Sequence, residues 1–144
     1  MISVHKITNQ QELEEAFKVR EKVFVVEQQV APEDEYDEYE ASSTHFIAYD
    51  ADNNACGTAR WRRTDRGIKL ERFAVLERVR GSGIGSLLVK QVLEDIQSVT
   101  KKERITVYMH AQTHAVKFYE KFGFRCYGEE FDECDIMHFE MRLS

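Results

Sequence analysis

The run Leu70-Glu-Arg-Phe-Ala-Val75, Leu76-Glu-Arg-Val79, Arg80-Gly-Ser-Gly-Ile-Gly85 decides the fold, because it reads in order as a strand, a tight glycine-rich turn and a helix start. Glycines let the backbone turn sharply and leave no Cβ in the way of an approaching group. Such a turn presents consecutive N–H groups at the positive end of the next helix dipole, which suits an anionic diphosphate. Arg80 can add a charge-assisted hydrogen bond to the same anion. A helix entry that merely needs glycines is the alternative. Two other phosphate motifs fail on detail. A Walker loop needs Gly-Lys-Ser/Thr, and here Gly85-Ser86 follows with no lysine. A dinucleotide fingerprint needs Gly-x-Gly-x-x-Gly inside a parallel βαβ unit, whereas Gly81, Gly83 and Gly85 alternate.

Outward from this run, the chain alternates between strand and helix patterns. Residues 83–99 carry Ile84, Leu87, Leu88, Val92, Ile96 and Val99 at helical spacing, the pattern of an amphipathic helix packed on a sheet. Upstream, residues 44–49, 55–63 and 67–75 read as three strands of an antiparallel meander, with turn chemistry in Asp50-Ala-Asp-Asn-Asn54 and Thr64-Asp-Arg-Gly67. Downstream, residues 104–110 alternate Ile105, Val107 and Met109 against Thr106, Tyr108 and His110, another strand. A short helix over 113–122 stops at Gly123, and strands near 124–128 and 135–143 close the sheet. At the N-terminal end a strand over 2–7 precedes a helix capped by Thr8 or Asn9, with Leu13, Ala16, Phe17, Val23 and Phe24 on one face, followed by a loop.

Six of the eight positions from Glu33 to Glu40 are acidic, just after the helix breaker Pro32, which predicts an exposed segment. It is either a solvated loop or a negative rim that attracts a cationic amine.

The 144 residues suit one domain spanning 1–144, since a second core would be starved of residues. A net charge of -6 disfavours nucleic acid, whose non-specific affinity comes from Lys and Arg neutralising phosphate. No apolar run nears the roughly 18 residues of a membrane span, and the start lacks a secretory pattern, so a cytoplasmic protein with no membrane partner is expected. Cys56, Cys126 and Cys134 are widely spaced and odd in number, which reads as reduced thiols used for packing. His110 and His114 straddle a strand–helix junction, and Cys126, Cys134 and His138 lack Cys-x-x-Cys spacing, so no metal is expected.

Arg80-x-x-Gly83-x-Gly85 after a Phe73-Ala74-Val75 strand resembles the Arg/Gln-x-x-Gly-x-Gly/Ala motif of the GNAT N-acetyltransferase superfamily. Gln112-Thr-His-Ala115-Val-Lys-Phe118-Tyr119-Glu-Lys-Phe-Gly123-Phe124 is similar to that family's Asn-x-x-Ala-x-x-Phe/Leu-Tyr-x-x-x-Gly-Phe stretch, with Gln112 where Asn is commoner. Arg20-Glu-Lys-Val-Phe-Val-Val-Glu-Gln28, His45 and His110-Ala-Gln112 resemble the ElaA-like branch. The resemblance implies an α/β fold: a mixed, mostly antiparallel twisted sheet with helices on both faces, whose strands 67–75 and 104–110 splay in a V.

The same resemblance implies an enzyme that moves the acetyl group of acetyl-CoA to a primary amine by direct attack on the thioester. Backbone groups of Phe73, Ala74 and Val75 would hold the pantetheine arm and the thioester oxygen. The N–H groups of Gly81, Ser82, Gly83, Ile84, Gly85 and Ser86, with Arg80, would hold the diphosphate, and Gln112 and Tyr119 would complete the cofactor site. Tyr119 matches the family tyrosine that protonates the leaving thiolate; its alternative role is a core aromatic beside Phe118 and Phe122. An alkyl ammonium must lose a proton before attack. Glu71, placed by strand alternation on the side of Phe73 and Val75, and Glu27 are the candidate bases, with His110 a third. An ion pair or a surface carboxylate is the alternative for each glutamate. A non-catalytic acyl-CoA sensor and an acyltransferase for longer chains remain as rival functions. The acceptor and the oligomeric state, a homodimer among the options, stay open.

Overall fold

A computed structural model describes residues 2–101 and 103–143. Seven strands form one sheet in the order β1-β2-β3-β4-β5-β7-β6. They are β1 (Ser3–Lys6), β2 (Thr44–Tyr49), β3 (Ala55–Thr64), β4 (Gly67–Val75), β5 (Val107–Gln112), β6 (Phe124–Glu133) and β7 (Ile136–Leu143). Every pairing is antiparallel except β4 with β5, which is parallel. The expected mixed, mostly antiparallel sheet is therefore present, and the expected meander is β2-β3-β4.

One face of the sheet is covered by α3 (Ile84–Thr100) and α4 (Val116–Glu120). Ile84, Leu88, Val89, Val92 and Ile96 of α3 pack on Phe46, Ala48, Cys56, Ala59, Trp61, Leu70 and Met109, alternate residues of the strands except where the β2–β3 register shifts at Cys56. Leu87 and Val99, expected on this face, are exposed; Val89 and Thr100 are buried instead. The other face is covered by α1 (Gln10–Arg20), whose first turn is capped by the Asn9 side chain accepting from Glu12 N–H. Here Val19 and Val23 pack on Ala74 of β4.

Several boundaries differ from the sequence expectation for local reasons. The first helix widens at Glu21–Glu27 into a π turn, with Gln28 N–H donating to Val23 C=O at 3.0 Å. A short helix, α2 (Pro32–Glu35), replaces part of the expected loop, with Pro32 at its first position. Strand β5 starts at Val107, the first residue in register with β4, with Ile68 N–H donating to Thr106 C=O at 2.8 Å just ahead of it. Cys56 packs as expected, but Cys126 and Cys134 are exposed.

The acidic segment corrects the expectation of an exposed run. Glu33, Asp34 and Glu38 face solvent, but Glu35 is 2% exposed, and Asp37 and Glu40 turn inward. The cause is a set of arginines from distant parts of the chain. Arg20, 1% exposed, donates to Glu35 at 3.0 Å and to both oxygens of Glu40 at 2.8 and 2.7 Å. Arg60, fully buried in β3, donates to Glu40 at 2.8 Å, to Asp37 at 3.0 and 2.7 Å and to Glu71 at 3.1 and 2.8 Å. Glu40 thus bridges Arg20 and Arg60 and ties α1 to the middle of the sheet. A buried cation stripped of water is tolerated only with such pairing.

Removing Arg60 takes a buried partner from three carboxylates, Asp37, Glu40 and Glu71, and leaves each on its remaining cations. Arg60→Ala should cost about 3–5 kcal/mol of stability, read from the urea midpoint at constant slope. Arg63→Ala, at an exposed pair with Glu103 3.5 Å away, should stay within about 0.5 kcal/mol. Equal effects for the two would show that the buried cluster carries no stability.

Candidate active site

Strands β4 and β5 pair only at Ile68↔Val107, Lys69↔Tyr108 and Leu70↔Met109. Beyond Leu70 and Met109 they part, although β4 runs on to Val75 and β5 to Gln112. This is the expected splay, with its β5 arm ending at Gln112 rather than at residue 110. The backbone of residues 71–75 is left without a ladder partner on its β5 side, where an extended ligand can complete the sheet.

A bulge sharpens the divergence. The β3–β4 register runs Arg60↔Glu71 and then Thr58↔Ala74, so β4 carries an extra residue there, and Arg72 sits at φ 57°. Its guanidinium holds that conformation by donating to Glu35 C=O at 3.2 Å and to Asp37 at 3.2 Å. The extra residue also inverts the alternation. Glu71 shares a face with Arg60 and Ala74, on the α1 side, while Phe73 and Val75 pack with the α3 core. The expectation that Glu71 lies on the side of Phe73 and Val75 is therefore wrong.

Because the sheet is parted, one cavity of about 780 Å³ is lined from both of its faces. Phe73, Val75, Ala115 and Tyr119 line it from the α3–α4 side, and Glu71, Arg72, His110 and Glu133 from the other.

At one end lies the glycine turn. Gly81 and Gly83 have φ 85° and 92°, where a side chain is strained, yet a Cβ on either would touch no heavy atom within 4 Å. Glycine is thus demanded here by backbone conformation, and the space beside it is open. Gly83 is the N-cap of α3 and supplies no side-chain acceptor, so the first-turn N–H groups of Ile84, Gly85 and Ser86 receive no side-chain cap. Gly85 serves packing instead: a Cβ there would meet Phe118 Cζ at 3.3 Å. Arg80 lies beside the turn and donates to Val75 C=O at 3.0 Å and to both oxygens of Glu27 at 2.6 and 2.7 Å. This contact holds the Glu27 carboxyl below its ordinary value.

Tyr119 is 9% exposed, edge-on to Phe73 and Phe118, and its hydroxyl has no hydrogen-bonding partner among the described residues. Burial pushes its pKa up, so the phenol stays protonated. Glu71 contrasts with it. Burial alone would raise its pKa, but hydrogen bonding from Arg62 and the charges of Arg60 and Lys69 outweigh burial and bring it down to about 2. A carboxylate so stabilised is a poor proton acceptor at neutral pH.

Three features of the site had no usable signal in the sequence. Gln28 exchanges amide hydrogen bonds with Gln112 at 3.3 and 2.8 Å across 84 residues. Arg72 occupies a left-handed position without being Gly or Asn. His110 meets Glu133 at 3.1 Å and the edge of Phe131 at a centroid distance of 5.1 Å, a grouping that depends on β7 lying between β5 and β6.

The geometry agrees with comparison to known proteins. Residues 5–144 match the family described as Acetyltransferase (GNAT) domain. The chain is 41% identical to the uncharacterized N-acetyltransferase YjcF of Bacillus subtilis, over 92% of this chain and 93% of that one. The crystal structure of Escherichia coli ElaA superposes with a TM-score of 0.86 at 25% identity, covering 100% of both chains. An acyl-CoA N-acyltransferase from Pseudomonas aeruginosa superposes with a TM-score of 0.84 at 26% identity, covering 100% of this chain and 99% of that one.

Asp37 is also brought down to about 2, burial opposing and Arg60 prevailing. Both carboxyls are therefore depressed from the ordinary values of 3.8 and 4.5, and the unfolded chain takes up their protons first as pH falls. Their stabilisation should be complete above about pH 5 and lost progressively down to about pH 2, read as the thermal midpoint across that range. Glu35, pushed up by burial, titrates above its ordinary value and so works in the opposite sense. Glu71→Gln should flatten the decline; an unchanged slope would mean Glu71 is not held by its arginines.

Proposed function

This chain belongs to the GNAT acetyltransferase family, and on that premise we propose that it transfers the acetyl group of acetyl-CoA to a primary amine of a small molecule or protein by direct attack on the thioester. The family membership makes it an acyltransferase; the donor, the acceptor class and the residue roles are our reading. The observation that carries it is the uncapped start of α3 lying at the end of an unpaired β4 edge. A diphosphate on the first and an amide-bearing arm along the second would together satisfy both sets of backbone groups. The residue roles are assigned within a single domain of residues 1–144.

In this reading the N–H groups of Gly81, Ser82, Gly83, Ile84, Gly85 and Ser86 and the Arg80 guanidinium hold the diphosphate, while Phe73, Ala74 and Val75 offer backbone groups to the pantetheine arm. Gln112 contributes a side-chain amide from the opposite strand. Holding thioester and amine in one cavity supplies orientation, which lowers the barrier by several kcal/mol in well-placed reactions. Backbone N–H groups near Val75 face the charge that develops on the thioester oxygen. Tyr119 gives a proton to the departing thiolate, a role its unpartnered, protonated hydroxyl supports. Of the two glutamates, Glu27 is the stronger candidate to take the amine proton. Glu71, tied to Arg60, Arg62 and Lys69, is better suited to anchoring β4. The amine proton leaves with the base, the C–S bond breaks as the C–N bond forms, and free thiol is released.

The amine would enter from the α1 side, where Glu71, His110 and Glu133 line the cavity. A cytoplasmic location and the absence of nucleic-acid, membrane and metal partners belong to this reading. So does the option of a homodimer.

Thiol release from acetyl-CoA, followed with a panel of mono- and polyamines, tests the proposal. Cofactor binding without turnover across the panel would favour an acyl-CoA sensor, and tighter binding of longer acyl-CoAs would favour a long-chain acyltransferase. Tyr119→Phe, which keeps the aromatic core, should lower kcat on the order of 10²-fold and leave acetyl-CoA affinity nearly unchanged. Unaltered turnover across pH would overturn the proton-donor role. Gly83→Val should weaken acetyl-CoA binding about tenfold or more, because the φ of 92° is denied to valine. Unaltered affinity in a folded variant would overturn the diphosphate site.

A further inference from the structure

Glu27 and Gln28 close the π turn and are adjacent in the chain, yet they hold opposite walls of the parted sheet. Glu27 grips Arg80 with both oxygens, at the junction of β4 and α3. Gln28 exchanges a reciprocal amide pair with Gln112, the last residue of β5. Arg80 in turn caps Val75 C=O with its Nε at 3.0 Å. Glu27, Gln28, Val75, Arg80 and Gln112 all line the one cavity.

These contacts occupy the groups that the cofactor needs. A diphosphate on the Arg80 guanidinium competes with the two-point grip on Glu27, and an amide of the pantetheine arm must share the Val75 C=O with Arg80. The link that must yield is open to solvent: the Glu27 and Arg80 side chains are 36% and 40% exposed, so water screens even this two-point pair. The turn that carries it is wound differently from α1, which it continues. Its hydrogen bonds are the long-period kind, and Val30 N–H reaches back to Phe24 C=O at 2.8 Å while Gln29 takes φ 60°.

We propose that Glu27 and Gln28 form a two-point strap across the cofactor cleft which acetyl-CoA opens, so that the Glu27 carboxylate is freed beside the thioester only once the donor is bound. The proposal rests on the reading of Arg80, Val75 and Gln112 as cofactor contacts. Its consequence is an order built into the site. Without donor, Glu27 is masked by a cation; with donor, that cation is spent on the diphosphate and the carboxylate becomes a stronger base.

The strap competes with the cofactor, so weakening it should strengthen binding. Titration calorimetry with acetyl-CoA should give Glu27→Gln a dissociation constant about two- to fivefold tighter than the natural chain, the range an exposed ion pair supplies. Adding Gln28→Ala should tighten it further. Arg80→Ala should bind about tenfold or more weakly, since it loses the diphosphate contact itself. Equal or weaker binding by Glu27→Gln, with Arg80→Ala weakened, would overturn the strap and leave the cofactor site standing. Natural affinity in Arg80→Ala would overturn the cofactor reading instead. Amide hydrogen exchange adds a second arm: acetyl-CoA should speed exchange over residues 24–30 while slowing it over residues 81–86. Slowing over both segments would also overturn the strap.

Discussion

Everything in this molecule's site follows from the parting of two parallel strands after Leu70 and Met109. Backbone N–H and C=O groups away from water demand partners, and a sheet normally supplies them through its own ladder. Here β4 is paired on its β3 side, apart from the bulge at Arg72 and Phe73, and abandoned on its β5 side over residues 71–75. The gap is stable only because other groups hold both arms. Arg72 is pulled toward the acidic segment by Glu35 and Asp37, and the end of β5 is held by antiparallel pairing of Gln112 with His138. An unpaired strand edge is thereby kept from edge-to-edge pairing with other chains, because it faces a cavity inside the fold.

The ionic cluster is the counterweight. Arg20, Arg60, Arg62 and Arg72 are set against Glu35, Asp37, Glu40 and Glu71. Such a set contributes less to net stability than its number of contacts suggests, because each charge pays its own desolvation. Its geometric effect is larger. It draws the acidic segment, α1, β3 and the bulge of β4 onto one centre, and so fixes the wall of the cavity opposite Tyr119. It also decides which carboxylates are available. Among the described residues Glu71 is paired with three cations, whereas Glu27 is paired with Arg80 alone, at an exposed place.

What could be read from the sequence was whatever is encoded locally. Alternation marked β3 and β4, three glycines marked the entry to α3, and the Gln112 to Phe124 stretch marked Tyr119, because each depends on neighbours within a few residues. The fate of the acidic run could not be read, since its partners Arg20, Arg60 and Arg72 come from α1, β3 and β4. Nor could the bulge, as a positive φ at Arg72 has no signature when the residue is neither Gly nor Asn. Missing that one extra residue put Glu71 on the wrong face. A period-two argument is only as good as the register it assumes.

The corrected face gives the site a direction. Phe73 and Val75 present one side of β4 to the α3 core and Tyr119, while Glu71 and Ala74 present the other to α1. Both sides reach the same cavity because the neighbouring strand has left. Two reactants can then approach from opposite faces of a single sheet and meet in the gap, each held by its own set of groups. A continuous ladder between β4 and β5 would keep those sets apart by the thickness of the sheet. The splay is therefore the feature through which the glycine turn at one end and the groups on the α1 side open onto one space.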